Sequence, residues 1–208
     1  MIIALGDIQL SSLEAHHLEM VRNWRNSPHI VSNMDHKDHI SEPAQLEWYR
    51  SIDPKKNAHF VIQYADQQYG LIHLANINFN QGLAESGLFI GVPNALGSPI
   101  PMLSSITLLE FAFGPLRLKR IFAKVAKHNQ KAINYNKWLG FKYLEPISSG
   151  FDRYVADQGV YYRERDQRLS LFKLSSQTIK VTVRSDNSID AEMAKKLVPC
   201  EYWTLAES

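Results

Sequence analysis

Apolar positions along the chain follow two rhythms, one of about 3.6 residues and one of about 2, and the rhythms alternate. In "SLEAHHLEMVRNWRN", Leu13, Leu18, Val21 and Trp24 recur at roughly helical spacing, and "SEPAQLEWYRSI" offers Ser41 as the cap of a second helix. "HFVIQYADQQYGLIHLANINFN" reads as two strands joined at "ADQQ", without a sharp hairpin signal. "AESGLFIGV" has few polar residues and predicts a third strand buried on both faces. Past a loop with Gly97, Pro99 and Pro101, the residues Met102, Ile106, Leu109 and Phe113 stand at i, i+4, i+7 and i+11, the mark of a helix packed on a sheet. "LKRIFAKVAK" is a further strand and "HNQKAINYNKWLGF" a helix, after which "FKYLEPI" and "RLSLFKLS" read as strands. This order predicts an α/β or α+β domain over residues 1–175. Residues 176–208 form a small extension without an assigned role, in which "TIKVTVRS" alternates like a strand and "SIDAEMAKKLV" offers a helix capped by Ser188.

Composition narrows the function classes. A net charge of +2 over 208 residues, with Lys and Arg scattered, argues against a nucleic-acid partner, so any bound anion must be held locally. Cys200 is the sole cysteine, which excludes an intramolecular disulfide and a cysteine zinc cage and fits a reducing cytoplasm. "MIIALGDIQL" lacks a basic leader and is interrupted by Asp7, and no apolar run reaches the ~18 residues of a membrane span. The expectation is a soluble cytoplasmic protein without a membrane partner; a homodimer is compatible with it. His16 and His17, and likewise His36 and His39, complete no ligand set, so neither a metal nor covalent catalysis is expected.

A strand, a glycine-containing turn and a helix start make a device for holding phosphates, because unpaired backbone N–H groups and the helix dipole face the anion. "VPNALGSPIPM" is placed to be one, with Gly97 free of a side chain and Pro101 near the first helical turn, although a purely structural loop has the same look. In "HNQKAINYNKWLGF", Asn129 suits a helix cap, Ala132, Tyr135 and Leu139 form one apolar stripe, and Gly140 suits the left-handed residue that ends a helix.

The order strand, anion loop, helix, strand, then "N-x-x-A-I" and "G-F" resembles the GNAT N-acetyltransferase superfamily, on Gly97, Asn129, Ala132, Ile133, Gly140 and Phe141. The resemblance implies a GNAT fold, a mostly antiparallel central sheet with helices on both faces, and acetyl-CoA as co-substrate. It implies that the cofactor loop lies at Asn94, Leu96, Gly97 and Ser98, that Asn129 faces the cofactor, and that N–H groups around Phe89, Ile90 and Gly91 polarise the thioester carbonyl. Two positions depart from the family pattern. The loop begins with Asn94 and ends with Pro99, which has no N–H, so one phosphate contact must be replaced, for which the Ser98 hydroxyl is available. The family's thiolate-protonating Tyr is Asn136 here, and Tyr135, about 100° away on the helix, should face the core. A thiolate leaves readily enough that Asn136 or water suffices beside it. For the base that takes the amine proton, Glu85 is the first candidate and His73 the second.

"WRNSPHI" with Met34, "GLIHLANI" and "ESGLFIG" resemble the nucleotide-sugar acetyltransferases of the pseudaminic acid pathway, which acetylate a UDP-linked 4-amino-4,6-dideoxy sugar. That resemblance makes Arg25, Asn26, Met34 and Asn76 acceptor-site candidates, with Arg able to pair with a UDP phosphate. Trp24 has an alternative as a core anchor. The W-R-N element also occurs in GNAT proteins that acetylate ribosomal-protein or peptide N-termini, and a third reading is an acyl-CoA-binding protein that has lost catalysis.

Overall fold

The computed structural model describes residues 1–148, 150–183 and 203–205. Two strands, β1 (Ile2–Leu5) and β2 (Ile8–Ser12), turn at Gly6 and lead into helices α1 (Leu18–Arg25), α2 (Pro28–Val31) and α3 (Glu42–Ser51). Strands β3 (Ala58–Tyr64), β4 (Gln67–Asn78) and β5 (Leu83–Ile90) follow. Helix α4 (Ile100–Phe113), β6 (Arg120–Ala126), α5 (Gln130–Trp138), β7 (Lys142–Pro146), β8 (Phe151–Asp157), α6 (Gln158–Leu171), β9 (Lys180–Val183) and β10 (Trp203–Leu205) complete the order. One sheet holds all the strands in the order β10-β9-β1-β2-β3-β4-β5-β6-β8-β7, antiparallel except for the β5–β6 and β9–β10 pairs.

Strand alternation divides the interior between the two faces. Phe60, Ile62, Ile72, Leu74 and Ala84 point to the main core with α4. Val61 and Leu71 point the other way, into a smaller cluster with Leu18 and Val21 of α1 and, at its margin, Trp24, Trp48 and Phe89. Helix α4 is apolar nearly all round, and its buried polar groups are satisfied. Ser104 and Thr107 donate to the carbonyls of Ile100 and Leu103. Glu110 accepts from Tyr161 at 2.8 Å and from Arg165 Nε at 2.9 Å, which fastens α6 to α4.

Several sequence expectations are met in detail. Ser41 caps α3 by accepting from Ala44 N–H at 3.4 Å, Asn129 caps α5 by accepting from Ala132 N–H at 3.0 Å, and Gly140 ends α5 with φ of +95°. Others are corrected. "RLSLFKLS" is not a strand: Arg168–Leu171 end α6, which begins at the Asp157 cap, with Leu169 buried and Leu171 65% exposed. The last strand of that region is instead β8, with Tyr154 and Ala156 buried. Strand β5 is only half-buried over Ser86–Phe89, because its partner on one side falls away there. Beyond residue 175, "TIKVTVRS" supplies β9, paired antiparallel to β1. The expected helix at Ser188 and Cys200 lie outside the described residues.

Candidate active site

β5 and β6 run parallel and pair only from Leu83↔Arg120 to Ser86↔Ala123. Past Ser86, whose hydroxyl donates to Phe122 O at 3.4 Å, the strands part, β5 staying with β4 and β6 with β8. Gly91 N–H donates to Tyr69 O at 2.8 Å, so by strand alternation Phe89 and Gly87 also address β4. The N–H groups of Leu88 and Ile90 therefore face the gap. Of the three residues expected around the thioester, Ile90 turns its N–H to the gap, whereas Phe89 and Gly91 turn theirs to β4. Leu88, which motif reading did not single out, turns its N–H the same way, as the alternation from Gly91 reveals. Gly91 serves packing instead: a Cβ there would lie 2.1 Å from the Trp24 ring.

At the mouth of the gap, the turn over Pro93–Ala95 leads through Gly97 and Pro99 into α4. A Cβ added to Gly97 would meet nothing within 4 Å, so the backbone is bare to an approaching phosphate. Ser98 is not a spare donor: its hydroxyl donates to Ala95 O at 2.8 Å and accepts from Ile100 N–H at 3.2 Å. The N–H groups of Asn94, Gly97 and Met102 are left without a partner among the described residues. Leu96 beside them is exposed. The open loop and the unsatisfied donors fit a pyrophosphate.

Helix α5 lines the other side of the gap. Tyr135 faces inward, its hydroxyl within 2.7 Å of Pro101 O and 2.6 Å of Ser105 Oγ, and burial pushes its pKa well up, which removes it as a proton donor to a leaving thiolate. Asn136 donates to Ala132 O at 2.8 Å and has a second amide N–H left over. Asn129 also donates to Asn33 Oδ1 at 2.9 Å, and Asn33 donates to His29 O at 3.2 Å. His29 Nε2 in turn lies 3.3 Å from Ile90 O. An unbroken polar chain thus crosses from α5 to β5 over the parted strands, backed by the Lys124–Asp35 ion pair.

The sheet face under α1 and α3 carries a second group of polar and aromatic side chains. His59 and His73 are cross-strand partners whose rings stack at 5.1 Å, and His73 lies on Gly87, where a Cβ would come within 2.4 Å of its ring. Trp48 meets His59 edge-on at 5.3 Å, and the Arg25 guanidinium sits 5.7 Å above the Trp48 ring. Burial lowers the pKa of His73 to about 4, with the charge of Arg25 as the second cause. His59 falls to about 3 through burial, then His73, then Arg25. Both imidazoles are therefore neutral near pH 7. Arg25 has no hydrogen bond or ion pair among the described residues, and burial lowers its pKa. Among the described residues, the buried side-chain atoms without partners belong to Arg22, Gln45 and His59, on α1, α3 and β3.

The remaining candidates are dispersed. Asn26 spends its amide on Ile40, accepting from its N–H at 2.8 Å and donating to its carbonyl at 2.9 Å, so it clasps a loop and is not free to meet a ligand. Met34 is half-buried just beyond α2. Asn76 is exposed with φ of 53°, at the bulge where β4 and β5 lose register, about 10 Å along the strand from His73. Glu85 is exposed on the same face of β5 as Gly87 and has no hydrogen bond or ion pair among the described residues. Among those residues no three His, Cys, Asp or Glu side chains gather as for a metal, and no helix is long and apolar enough to cross a membrane.

Parted parallel strands, a bare anion loop at the head of α4 and a capped helix across the gap define an acyl-CoA N-acyltransferase. A family model of the acetyltransferase (GNAT) domain matches residues 7–142, and the chain belongs to that family. Acetyl-CoA is its acyl donor and an amine its acceptor. The spermidine N(1)-acetyltransferase of Vibrio cholerae is 27% identical over 138 residues, 65% of this chain and 79% of that protein. The acetyltransferase PseH of Campylobacter jejuni is also 27% identical, over 124 residues, 59% of this chain and 75% of that protein. The crystal structure of the Vibrio cholerae spermidine enzyme in complex with CoA and spermine shares the fold, with a TM-score of 0.69 at 24% identity, covering 76% of this chain and 99% of that one.

Proposed function

We propose that the protein transfers acetyl from acetyl-CoA directly to the amine of a nucleotide-linked amino sugar. The observation that carries this reading is Arg25, a half-buried cation without a counter-ion among the described residues, set among neutral imidazoles on the acceptor face. An anionic acceptor supplies the missing partner, whereas a polyamine would bring further positive charge to a wall that already holds a cation.

In this reading the N–H groups of Leu88 and Ile90 polarise the thioester carbonyl and the loop at Gly97 holds the pyrophosphate. The amine nitrogen forms its bond to the carbonyl carbon, the C–S bond breaks, and the electron pair leaves with sulfur. The proton shed by nitrogen passes to Glu85 and on to solvent. His73, enclosed between the His59 ring and Gly87 and held neutral by burial, serves as a wall. A thiol with a pKa of about 8.5 needs only a hydrogen bond as it departs, which the spare Asn136 N–H can supply.

Release of free thiol, followed with a dye, tests the reading across a UDP-linked 4-amino-4,6-dideoxy sugar, the free amino sugar, spermidine and peptides. Turnover confined to the nucleotide-linked amine is expected. Preference for spermidine or a peptide amine sinks the sugar assignment, and CoA binding without turnover of any amine sinks catalysis.

A further inference from the structure

A second feature of the acceptor face lies away from the parted strands. Where β4 and β5 lose register, Asn76, Asn78, Phe79 and Asn80 join Lys55 and Lys56 around a hollow of about 440 Å³. Its construction is unusual for plain surface. Phe79 is 41% exposed although it belongs to a turn rich in amides. Neither lysine has an ion pair among the described residues, and the nearby Asp53 carboxylate is already engaged by the N–H of Lys55 at 2.9 Å. Asn78 exchanges hydrogen bonds with Gln81, which stiffens the turn under Phe79. The backbone is tied as well, Ile77 N–H donating to Lys56 O at 2.8 Å and Asn76 N–H to Asn57 Oδ1 at 3.3 Å. The hollow is thus a fixed shape carrying two unpaired ammonium groups, one open aromatic face and free amides.

We propose that this hollow binds a nucleoside diphosphate, the base resting on Phe79 and the phosphates between Lys55, Lys56 and Arg25. Lys56 precedes His59 by three residues, about 10 Å along the chain, and Arg25 stands beside His59, so the cations bracket a diphosphate rather than compete for one phosphate. Asn76 lies about as far from His73, at the row where β5 and β6 part. That interval is longer than one pyranose ring, so the diphosphate enters it from the hollow and the sugar sits at its His73 end with its amine toward the gap. The proposal rests on the reading of the acceptor as nucleotide-linked, but its test is separable from it.

UDP alone, without amine or acetyl-CoA, is titrated calorimetrically into the full chain, into Phe79→Ala and into Lys55→Ala/Lys56→Ala. The wild type should bind UDP, more weakly as salt rises. Phe79→Ala and the double variant should each weaken binding about tenfold or more, while CoA affinity is unchanged. UDP binding that both variants leave intact overturns the hollow as the site, even if nucleotide-linked amines are turned over. UDP binding lost in the variants, together with no turnover of any nucleotide-linked amine by the wild type, keeps the hollow and overturns the acceptor reading alone. No binding of UDP by the wild type at millimolar concentration overturns the proposal outright.

Discussion

Replacing Arg25 by Met removes the unpaired cation and nearly preserves its length, and the consequences for activity and for stability should diverge. If Arg25 meets a phosphate of the acceptor, the lost charge-assisted hydrogen bonds are worth ~1.5–3 kcal/mol, which lowers kcat/KM for the anionic amine about 10- to 150-fold. Stability should hardly move. The guanidinium contributes about 0.5–1 kcal/mol through its position over Trp48, but it forms no ion pair to lose, and removing a cation from a half-buried place offsets part of that. The melting temperature should stay within about 4 °C. Steady-state thiol release with the nucleotide-linked amine and with the same sugar lacking the nucleotide, paired with thermal denaturation, provides the readouts. The loss must fall on the anionic acceptor and spare the neutral one. An equal loss on both would show that Arg25 acts through packing, and no loss on either would refute the electrostatic argument altogether.

Three further outcomes follow from the geometry. Gly97→Val should fold normally, since its added atoms enter open space, yet weaken CoA at least tenfold by calorimetry; unchanged affinity would remove the loop from the cofactor site. Asn33→Ala cuts the polar chain over the gap, so KM for the amine should rise and acetyl-CoA should be hydrolysed faster without amine, whereas Asn33→Asp, which keeps the acceptor oxygen for Asn129 but loses the N–H given to His29 O, should recover only part of the function. Unfolding free energy should drop on acidification below about pH 6.5, because the unfolded chain protonates His59 and His73 there while the folded chain, with values of about 3 and about 4, does not. The slope is at most ~1.4 kcal/mol per pH unit for each histidine and flattens near pH 4 for His73 and near pH 3 for His59, and His73→Gln should reduce it; denaturant titrations at several pH values measure this.

Caps and periodicity wrote much of the fold into the chain: Ser41, Asn129 and Gly140 act where local chemistry required. Errors arose where tertiary context overrode composition. The "RLSLFKLS" run looks like a strand because its leucines alternate with polar residues, yet the Asp157 cap and the helical spacing of Tyr161, Arg165, Arg168 and Leu169 mark one helix in which Leu171 is left outside. The apolar composition of β5 predicted burial on both faces, although its half-exposed stretch borders a gap. Apolar residues that line a ligand channel and apolar residues of a core have the same sequence signature. The hairpin at Ala65–Asp66 was indistinct for a related reason: both residues take positive φ, 47° and 61°, in a turn that more often recruits Asn or Gly. At the site, single residues with local roles were legible, but the meeting of Arg25, Trp48, His59 and His73 was not, since their contacts join one helix to another and to two strands. Asn26 and Ser98 have the right residue types for ligands, but neighbouring backbone claims them first.

The run of hydrogen bonds from Asn129 through Asn33 and His29 to Ile90 is anchored at one end on α5, which the proposed function sets against acetyl-CoA, and at the other on β5, which it sets against the amine. A shared crosspiece of this kind makes the two substrates thermodynamically interdependent. Whatever factor acetyl-CoA imposes on amine affinity by tightening it, the amine must impose on acetyl-CoA in return, whichever arrives first.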